Sequence, residues 1–316
     1  MSDKTSALQP ITDRTFYLPG ANNLGVVATD GGGAIVIDTG LDKDVGRTLR
    51  KALDAAGLRL HTIINTHHHA DHIGGNAYLL RNIPGVLTYA PPLEAALIEH
   101  PILEPVYLNQ GAGPHKALRT RRLPAQGTPV HHLISTSEQI SQGTPFPLEL
   151  AGVTFEVIPL PGHSIAQIGL ACDGVCFAAD GFFGPTVPAK YGVPYVHDVA
   201  DQLAGLERLA VREEAWFLPG HGPLTARADL DEMLNINRTA IIQSSESILQ
   251  ALQAPGDVPA ITARVLRALG QTPPGIPQYA IFAGAVAAHL TYLEQQGRAA
   301  VTLDERGLIW RRTEGN

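Results

Sequence analysis

The segment Thr66-His67-His68-His69-Ala70-Asp71-His72 packs four imidazoles and a carboxylate into six positions. Burying so many ionisable groups is costly unless something uses them. Imidazole nitrogens and carboxylate oxygens are the donors that zinc and similar divalent ions favour. A histidine-rich tract alone is also compatible with a loose surface chelator. Two further histidines argue for a built site. They stand in Pro161-Gly162-His163-Ser164 and Pro219-Gly220-His221-Gly222, each after an apolar run. Asp180 ends the apolar run 175–179 in the same way. Layered α/β folds place their sites at strand ends, and glycine makes the sharp turns that would aim such side chains.

Counting donors yields two sets. His67, His69 and His163 form one three-imidazole set, and Asp71, His72 and His221 form another. Asp180 could lie between the two and bridge them. Three protein ligands leave a position open for water, and two ions sharing a water or hydroxide lower its pKa and create a nucleophile at neutral pH. The sets use five of the thirteen histidines and neither of the two cysteines. Cys172 and Cys176 flank the Asp173-Gly174 turn unequally and are expected as reduced core thiols.

The elements that must position these donors can be read from periodicity. Strands over 23–29 and 34–38 flank a glycine-rich hairpin turn, a helix spans 44–58, and a strand over 61–65 runs into the histidines. A helix over 74–83 and a strand over 86–90 follow. This alternation points to an α/β layered domain. Strands resume at 148–150, 154–159, 168–172 and 175–179. A helix over 198–211 is capped by Asp198, with His197 as its flank, then come a strand at 216–218 and a long helix or helix pair over 226–253. Between the halves, 91–142 is broken by prolines and carries the basic cluster Lys116, Arg119, Arg121 and Arg122. It reads as an insertion lying over a surface, helical at most over 93–100, and loops of this length tend to be functional. His131 and His132 in it lack the strand-end glycine setting and read as a solvated pair.

The chain thus divides into a catalytic domain, 1–253, and a small module, 254–316. The module has helices over 258–270 and 278–296, and a hairpin of 299–303 with 308–312, a winged-helix-like order. Its six arginines face five acids, Glu314 among them. A nucleic-acid wing is usually more basic, so packing or a homodimer contact suits it better. Over the whole chain 44% of residues are hydrophobic and 17% charged, which excludes a disordered chain. Thirty acids against 23 Lys and Arg give no broad attraction to nucleic acid or anionic membrane. The first residues lack a signal-peptide pattern, and the longest apolar stretch, 279–290, is short of the roughly 20 residues a membrane span needs. The expectation is a soluble cytoplasmic enzyme with a small-molecule substrate.

The order His67-x-His69-x-Asp71-His72, then His163, Asp180 and His221, resembles the metallo-β-lactamase superfamily, and the resemblance covers roughly 16–225. It implies an αββα sandwich with the site at one edge. It also implies a hydrolase holding two divalent ions, zinc most simply, with iron or manganese as other candidates. A metal-bridging hydroxide would attack an acyl carbon. Asp71 would orient the nucleophile and pass a proton to the leaving group. Asp38, in Asp38-Thr39-Gly40, would support the metal loop, with Thr66 and Ser164 also behind the ligands. His68 would point away from the metals.

Branches of the family differ around the bridging acid. The main β-lactamases carry cysteine where this chain has Asp180, which argues against antibiotic hydrolysis. The flavodiiron pattern has glutamate where His69 stands. A well-known lactonase type has tyrosine where Phe183 stands. Glyoxalase II-type thioester hydrolases resemble the chain in length and in a C-terminal extension, and Lys190 and Tyr191 sit near the offset of their glutathione-holding lysine and tyrosine; a solvated loop charge is the plainer reading of Lys190. Phe182, Phe183, Tyr191 and Tyr195 could line a substrate pocket, with a core role equally open to the two phenylalanines. The expected activity is cleavage of a thioester, lactone or related acyl bond. The alternatives are a phosphodiesterase or ribonuclease, a metal-dependent nucleic-acid-binding regulator, and an iron sulfur dioxygenase.

Overall fold

A computed structural model describes residues 7–119, 123 and 125–313. Residues 1–6 and, from the features above, Arg121, Arg122 and Glu314 lie outside them. Among the described residues the first sheet runs in chain order: β1 (Gln9–Pro10), β2 (Thr15–Leu18), β3 (Leu24–Thr29), β4 (Gly33–Ile37), β5 (Arg59–Ile64), β6 (Leu87–Ala90) and β7 (His132–Leu133). Its first four strands are antiparallel and its last four parallel. The second sheet comprises β8 (Phe146–Leu150), β9 (Val153–Pro159), β10 (Ile168–Cys172), β11 (Val175–Ala179), β12 (Trp216–Pro219) and β13 (Thr225–Ala226), also neighbour to neighbour. Only β11 and β12 pair in parallel there.

The helices are α1 (Lys43–Ala55), α2 (Ala70–Ile73), α3 (Asn76–Asn82), α4 (Pro92–Glu99), α5 (Leu103–Leu108), α6 (Ser137–Gln142), α7 (Thr186–Tyr191), α8 (Val199–Ala210), α9 (Arg227–Ala251), α10 (Val258–Ala268) and α11 (Ile276–Gln295). The hairpin β14 (Ala299–Asp304) and β15 (Gly307–Arg312) ends the described chain.

Strand alternation builds three apolar layers. Ile35 and Ile37 of β4 point into the seam between the sheets, against Phe155, Val157, Leu170 and Phe177. Ala34 and Val36 of the same strand face outward onto Leu49 and Leu53 of α1 and Leu79 of α3. On the far side Ile158, Cys176 and Phe217 pack against Leu206 and Leu209 of α8 and Leu230 and Leu234 of α9. This is an αββα sandwich. Each large side chain buried completely contributes about 1.5–3 kcal/mol, so the seam holds the two sheets, and with them the two halves of the site, in fixed register.

The segment 91–142 is not a plain insertion. It contributes β7 to the edge of the first sheet and forms α4, α5 and α6. Its prolines mislead because Pro92 and Pro105 occupy the first turns of α4 and α5, where a missing N–H costs nothing. His131 and His132 are exposed on that edge: Thr88 N donates to His131 Nδ1, and His132 stacks on Tyr89. The helix expected over 74–83 is α3, beginning at Asn76 after Gly74-Gly75, and a separate short helix, α2, precedes it within the histidine run. A β-carbon at Gly74 would run into the Leu41 carbonyl, so the chain presses against the 39–41 turn there. The span 226–253 is a single helix, α9. Cys172 and Cys176 are free and buried, in register with Val175 and Ala171 rather than with each other.

The C-terminal elements share a core with the sandwich: Ile261, Val265, Val286 and Leu290 pack on Ile248 and Leu249 of α9 and on Leu252 just after it, with Val193. Helix α11 also packs against α5. His289 of α11 is buried and 2.8 Å from Ser245 Oγ of α9. Burial pushes its pKa down to about 4, so it folds neutral, while the unfolded chain takes up a proton near pH 6.5. Stability from this group is present above pH 6.5 and is lost as pH falls towards 4. Denaturant titrations should therefore show His289→Gln with a shallower loss of stability between pH 6.5 and 4 than the parent; identical slopes would dismiss this role.

Candidate metal centre

One carboxylate organises the first loop. Asp38 follows β4 with a left-handed backbone, φ 61°, a conformation that costs a non-glycine residue about 1–3 kcal/mol. There its Oδ1 accepts from Thr66 N at 2.9 Å, and its Oδ2 accepts from Thr66 Oγ1 at 2.7 Å and from His72 Nδ1 at 2.7 Å. Because Thr66 gives its only hydroxyl proton to Asp38, its oxygen accepts from His67 Nδ1, 3.0 Å away. The relay fixes both ring tautomers and leaves His67 Nε2 and His72 Nε2 as buried nitrogens with no protein partner.

The other donors arrive from the second sheet. His163 follows β9, Asp180 follows β11, and His221 follows β12. Ala179 takes φ 47° to turn Asp180 inward. A β-carbon at Gly220 would collide with the Asp180 carboxylate, so only glycine lets β12 pass this closely. His221 Nδ1 donates to the Ala21 carbonyl at 2.7 Å, which turns its Nε2 into the site.

The nitrogens of His67, His69 and His163 come within 4.8 Å of one another, as do the donor atoms of Asp71, His72 and His221. Asp180 lies between the two sets: its Oδ2 is 3.2 Å from His163 Nε2 and 3.6 Å from His221 Nε2, and its Oδ1 is 3.5 Å from His72 Nε2. His221 Nε2 is 3.1 Å from Asp71 Oδ2. All seven sequence-derived donors therefore meet in one place. Asp38, Thr66 and Ser164 stand behind them.

The electrostatics suit a cation. Burial, reinforced by neighbouring histidines, holds His67 and His69 well below the usual imidazole range, so they present lone pairs. Burial alone would raise Asp180, but His221, His72 and His163 outweigh it and keep the carboxylate charged. Burial likewise opposes charge on His72 and His221, yet Asp180 with Asp38 lifts the first well above normal, and Asp180 with Asp71 lifts the second to about 9. The residues fit a divalent ion on an observation independent of any motif: His67 Nε2, His72 Nε2 and Asp180 Oδ1 are buried without a hydrogen-bond partner. Buried polar atoms are rarely left so.

The remaining sequence-derived residues divide. Tyr195 lies edge-on to His69 and His163, with ring centroids 5.5 and 5.6 Å away, and Phe183 is 5.5 Å from His163. Phe182 is a correction: it is wholly buried in the core between the second sheet, α8 and α9, because the turn after Asp180 sends it back under the sheet. Lys190 and Tyr191 are on α7, exposed and turned on each other, Lys190 Nζ donating to Tyr191 OH at 3.2 Å. His197 is exposed before the Asp198 cap. His68 points away from the donor atoms, as its neighbours' alternation suggests.

Its partner was not foreseen. Glu94 of α4 is fully buried, and its Oε2 accepts from His68 N at 2.9 Å and His68 Nδ1 at 2.5 Å. Its Oε1 accepts from Ser164 Oγ at 2.6 Å and Ala166 N at 2.8 Å. Glu94 thus clamps the His67–His69 loop to the His163 loop. Burial would raise its pKa, but His68 and Ser164 hold it below the usual range. Glu104 of α5 also lies beside His68 and His69, pushed up to about 7 by burial. Asn22 donates to the Asp71 carbonyl at 2.6 Å, and Asn23 to the Pro219 and Gly222 carbonyls at 2.9 and 2.7 Å. A lone acid in the apolar run 93–98 was the only signal for Glu94.

A family model described as the metallo-beta-lactamase superfamily matches residues 17–221. The chain belongs to this superfamily. It is similar to the hydroxyacylglutathione hydrolase of Albidiferax ferrireducens, 31% identical over 183 residues, covering 58% of this chain and 54% of the relative. To that of Vibrio campbellii it is 30% identical over 148 residues, 47% and 42% of the two chains. The chain thus spans about half the length of the curated relatives it matches. Two solved structures share the fold: a beta-lactamase domain protein from Burkholderia ambifaria (TM-score 0.73, 17% identity, 99% and 95% covered) and a metallo-beta-lactamase family protein from Thermus thermophilus (0.66, 20%, 97% of both). Both superposed relatives span the C-terminal elements as well as the sandwich.

If Glu94 holds the two loops together, Glu94→Ala should weaken metal retention about 10–100-fold in competition with a chromophoric chelator, with little change in far-UV dichroism. Affinity equal to the parent's would remove the clamp from the account.

Proposed function

We propose that the protein is a metal-dependent hydrolase cleaving an ester-type acyl bond, a thioester foremost, with lactones and simple esters as close variants. The observation that carries this is the set of buried, partnerless donor atoms converging on Asp180. His67, His69 and His163 would hold one divalent ion, zinc in the simplest case, and Asp71, His72 and His221 a second, with Asp180 between. Such ions, when bound, lower the pKa of water and polarise an acyl oxygen.

The chain's own residues do the rest. Asp38 and Thr66 hold His67 and His72 in the tautomers that expose Nε2. Asp71 and His221 reach solvent, with side chains 39% and 22% exposed; Asp71 would orient an incoming water, accept its proton and pass that proton on to the leaving group. The thioester preference is supported by the relatives named hydroxyacylglutathione hydrolase. Lys190 is already engaged with Tyr191 and adds little support for a glutathione-like thiol half. A cytoplasmic setting fits the two unpaired thiols. No helix among the described residues is long and apolar enough to cross a membrane.

Metal quantification coupled to a screen over thioesters, lactones, phosphodiesters and β-lactams tests the reading. Turnover of an acyl substrate should vanish on chelation and in His67→Ala and Asp180→Ala, with the fold retained, and return when metal is restored to the parent. Turnover that survives complete metal removal, or that is confined to phosphodiesters, refutes it.

A further inference from the structure

Five imidazoles serve the two donor sets, and each presents one nitrogen to the centre. How firmly a ring is held depends on the partner of its other nitrogen. His72 Nδ1 ends on Asp38, and His67 Nδ1 reaches the same carboxylate through Thr66. His221 Nδ1 ends on the Ala21 carbonyl. His163 Nδ1 is buried without a partner. His69 is turned the opposite way. Its Nδ1 is the inward nitrogen, 3.0 Å from His163 Nε2, so its Nε2 faces out of the trio, where no hydrogen bond from the described residues reaches it.

Glu104 of α5 stands beside that ring. It is buried, and its carboxyl forms a group with His68 and His69 whose donor atoms lie within 4.8 Å of one another. His68 has other partners. Its Nδ1 is held by Glu94, and its Nε2 lies 3.3 Å from the Tyr107 hydroxyl. Among the described residues no hydrogen bond joins the Glu104 carboxyl to a protein group. The rest of α5 is Leu, Pro, Val, Tyr and Leu, and an apolar side chain would be easier to bury there than an unpaired carboxyl. The span between Glu104 and the outer edge of His69 is one that a single water can bridge.

We propose that Glu104 is the outer anchor of His69: its carboxylate takes up the His69 Nε2–H through one bridging water, which fixes the ring with Nδ1 inward and makes that nitrogen a stronger donor. This rests on the metal-centre reading and is independent of the choice of substrate. The three-imidazole set is then backed by two carboxylates, Asp38 behind His67 and Glu104 behind His69. Because α11 packs on α5, the C-terminal module bears on the metal centre through this positioning residue.

The test uses the full chain, with zinc in competition against a chromophoric chelator and with cobalt(II), whose visible absorption reports ligand geometry. Glu104→Ala should bind metal about tenfold more weakly at one of the two sites and shift the cobalt band. Glu104→Gln, which keeps an acceptor oxygen without the charge, should show a smaller loss in the same direction. Leu103→Ala, at the exposed neighbour on the same helix, should change neither. Parent-like affinity and spectrum in Glu104→Ala overturn the proposal, as does an equal loss in Leu103→Ala, which would make the effect one of helix packing. Should Glu104→Ala not fold, Glu104→Gln decides, and values equal to the parent's overturn the anchor. A parent that holds metal but turns over no acyl substrate ends the hydrolase reading alone, and the same comparison still settles Glu104; a parent that holds no metal ends both.

Discussion

The carboxylate of Asp38 is the constraint on which the site depends. It is buried, strained in backbone and saturated with donors from Thr66 and His72. Since a carboxylate can only accept, every proton around it must point inward. That single requirement travels through Thr66 to His67 and directly to His72, and it turns the far nitrogen of each ring toward the centre. One ligand of each donor set is therefore oriented by the same anion. The strain is tolerated because β4 and β5 are locked beneath it by the inter-sheet core.

Around that anchor the charges are arranged to want a cation. Asp180 and Asp71 bring negative charge into a pocket of imidazoles, of which His67 and His69 are kept neutral by burial while His72 and His221 are drawn toward protonation by the acids. A proton on those rings is the weaker of two solutions; a divalent ion satisfies nitrogens and carboxylates together. Glu94 carries the design one layer further out. By accepting from His68, Ser164 and Ala166 it joins loops that belong to different sheets, so the relative position of His69 and His163 does not rest on the sandwich core alone.

The segment 91–142 and the C-terminal module meet where α11 packs on α5. Helices α4 and α5 deliver Glu94, Glu104 and Tyr107 to the edge of the donor cluster, and α11 supports both α5 and Tyr195. The superfamily model ends at residue 221, so α11 lies beyond what the shared catalytic frame requires.

By itself the sequence determined the alternating strands, the layered architecture and the seven donors. Those features are local: strand periodicity, glycine-sharpened turns and a crowded run of imidazoles need no distant partner to be recognised. It did not reveal Glu94, Tyr107 or the burial of Phe182. A glutamate in an apolar helix looks like any surface acid until α4 is laid against the His68 loop, and prolines at helix starts look like breakers until the helices are seen. Phe182 and Phe183 are adjacent and chemically alike, yet one enters the core and the other flanks His163, a choice made only by the turn that Ala179 and Gly181 impose. What tertiary structure alone decided was which side chains share a space, because proximity between residues some seventy positions apart is a property of packed sheets and not of any stretch of chain.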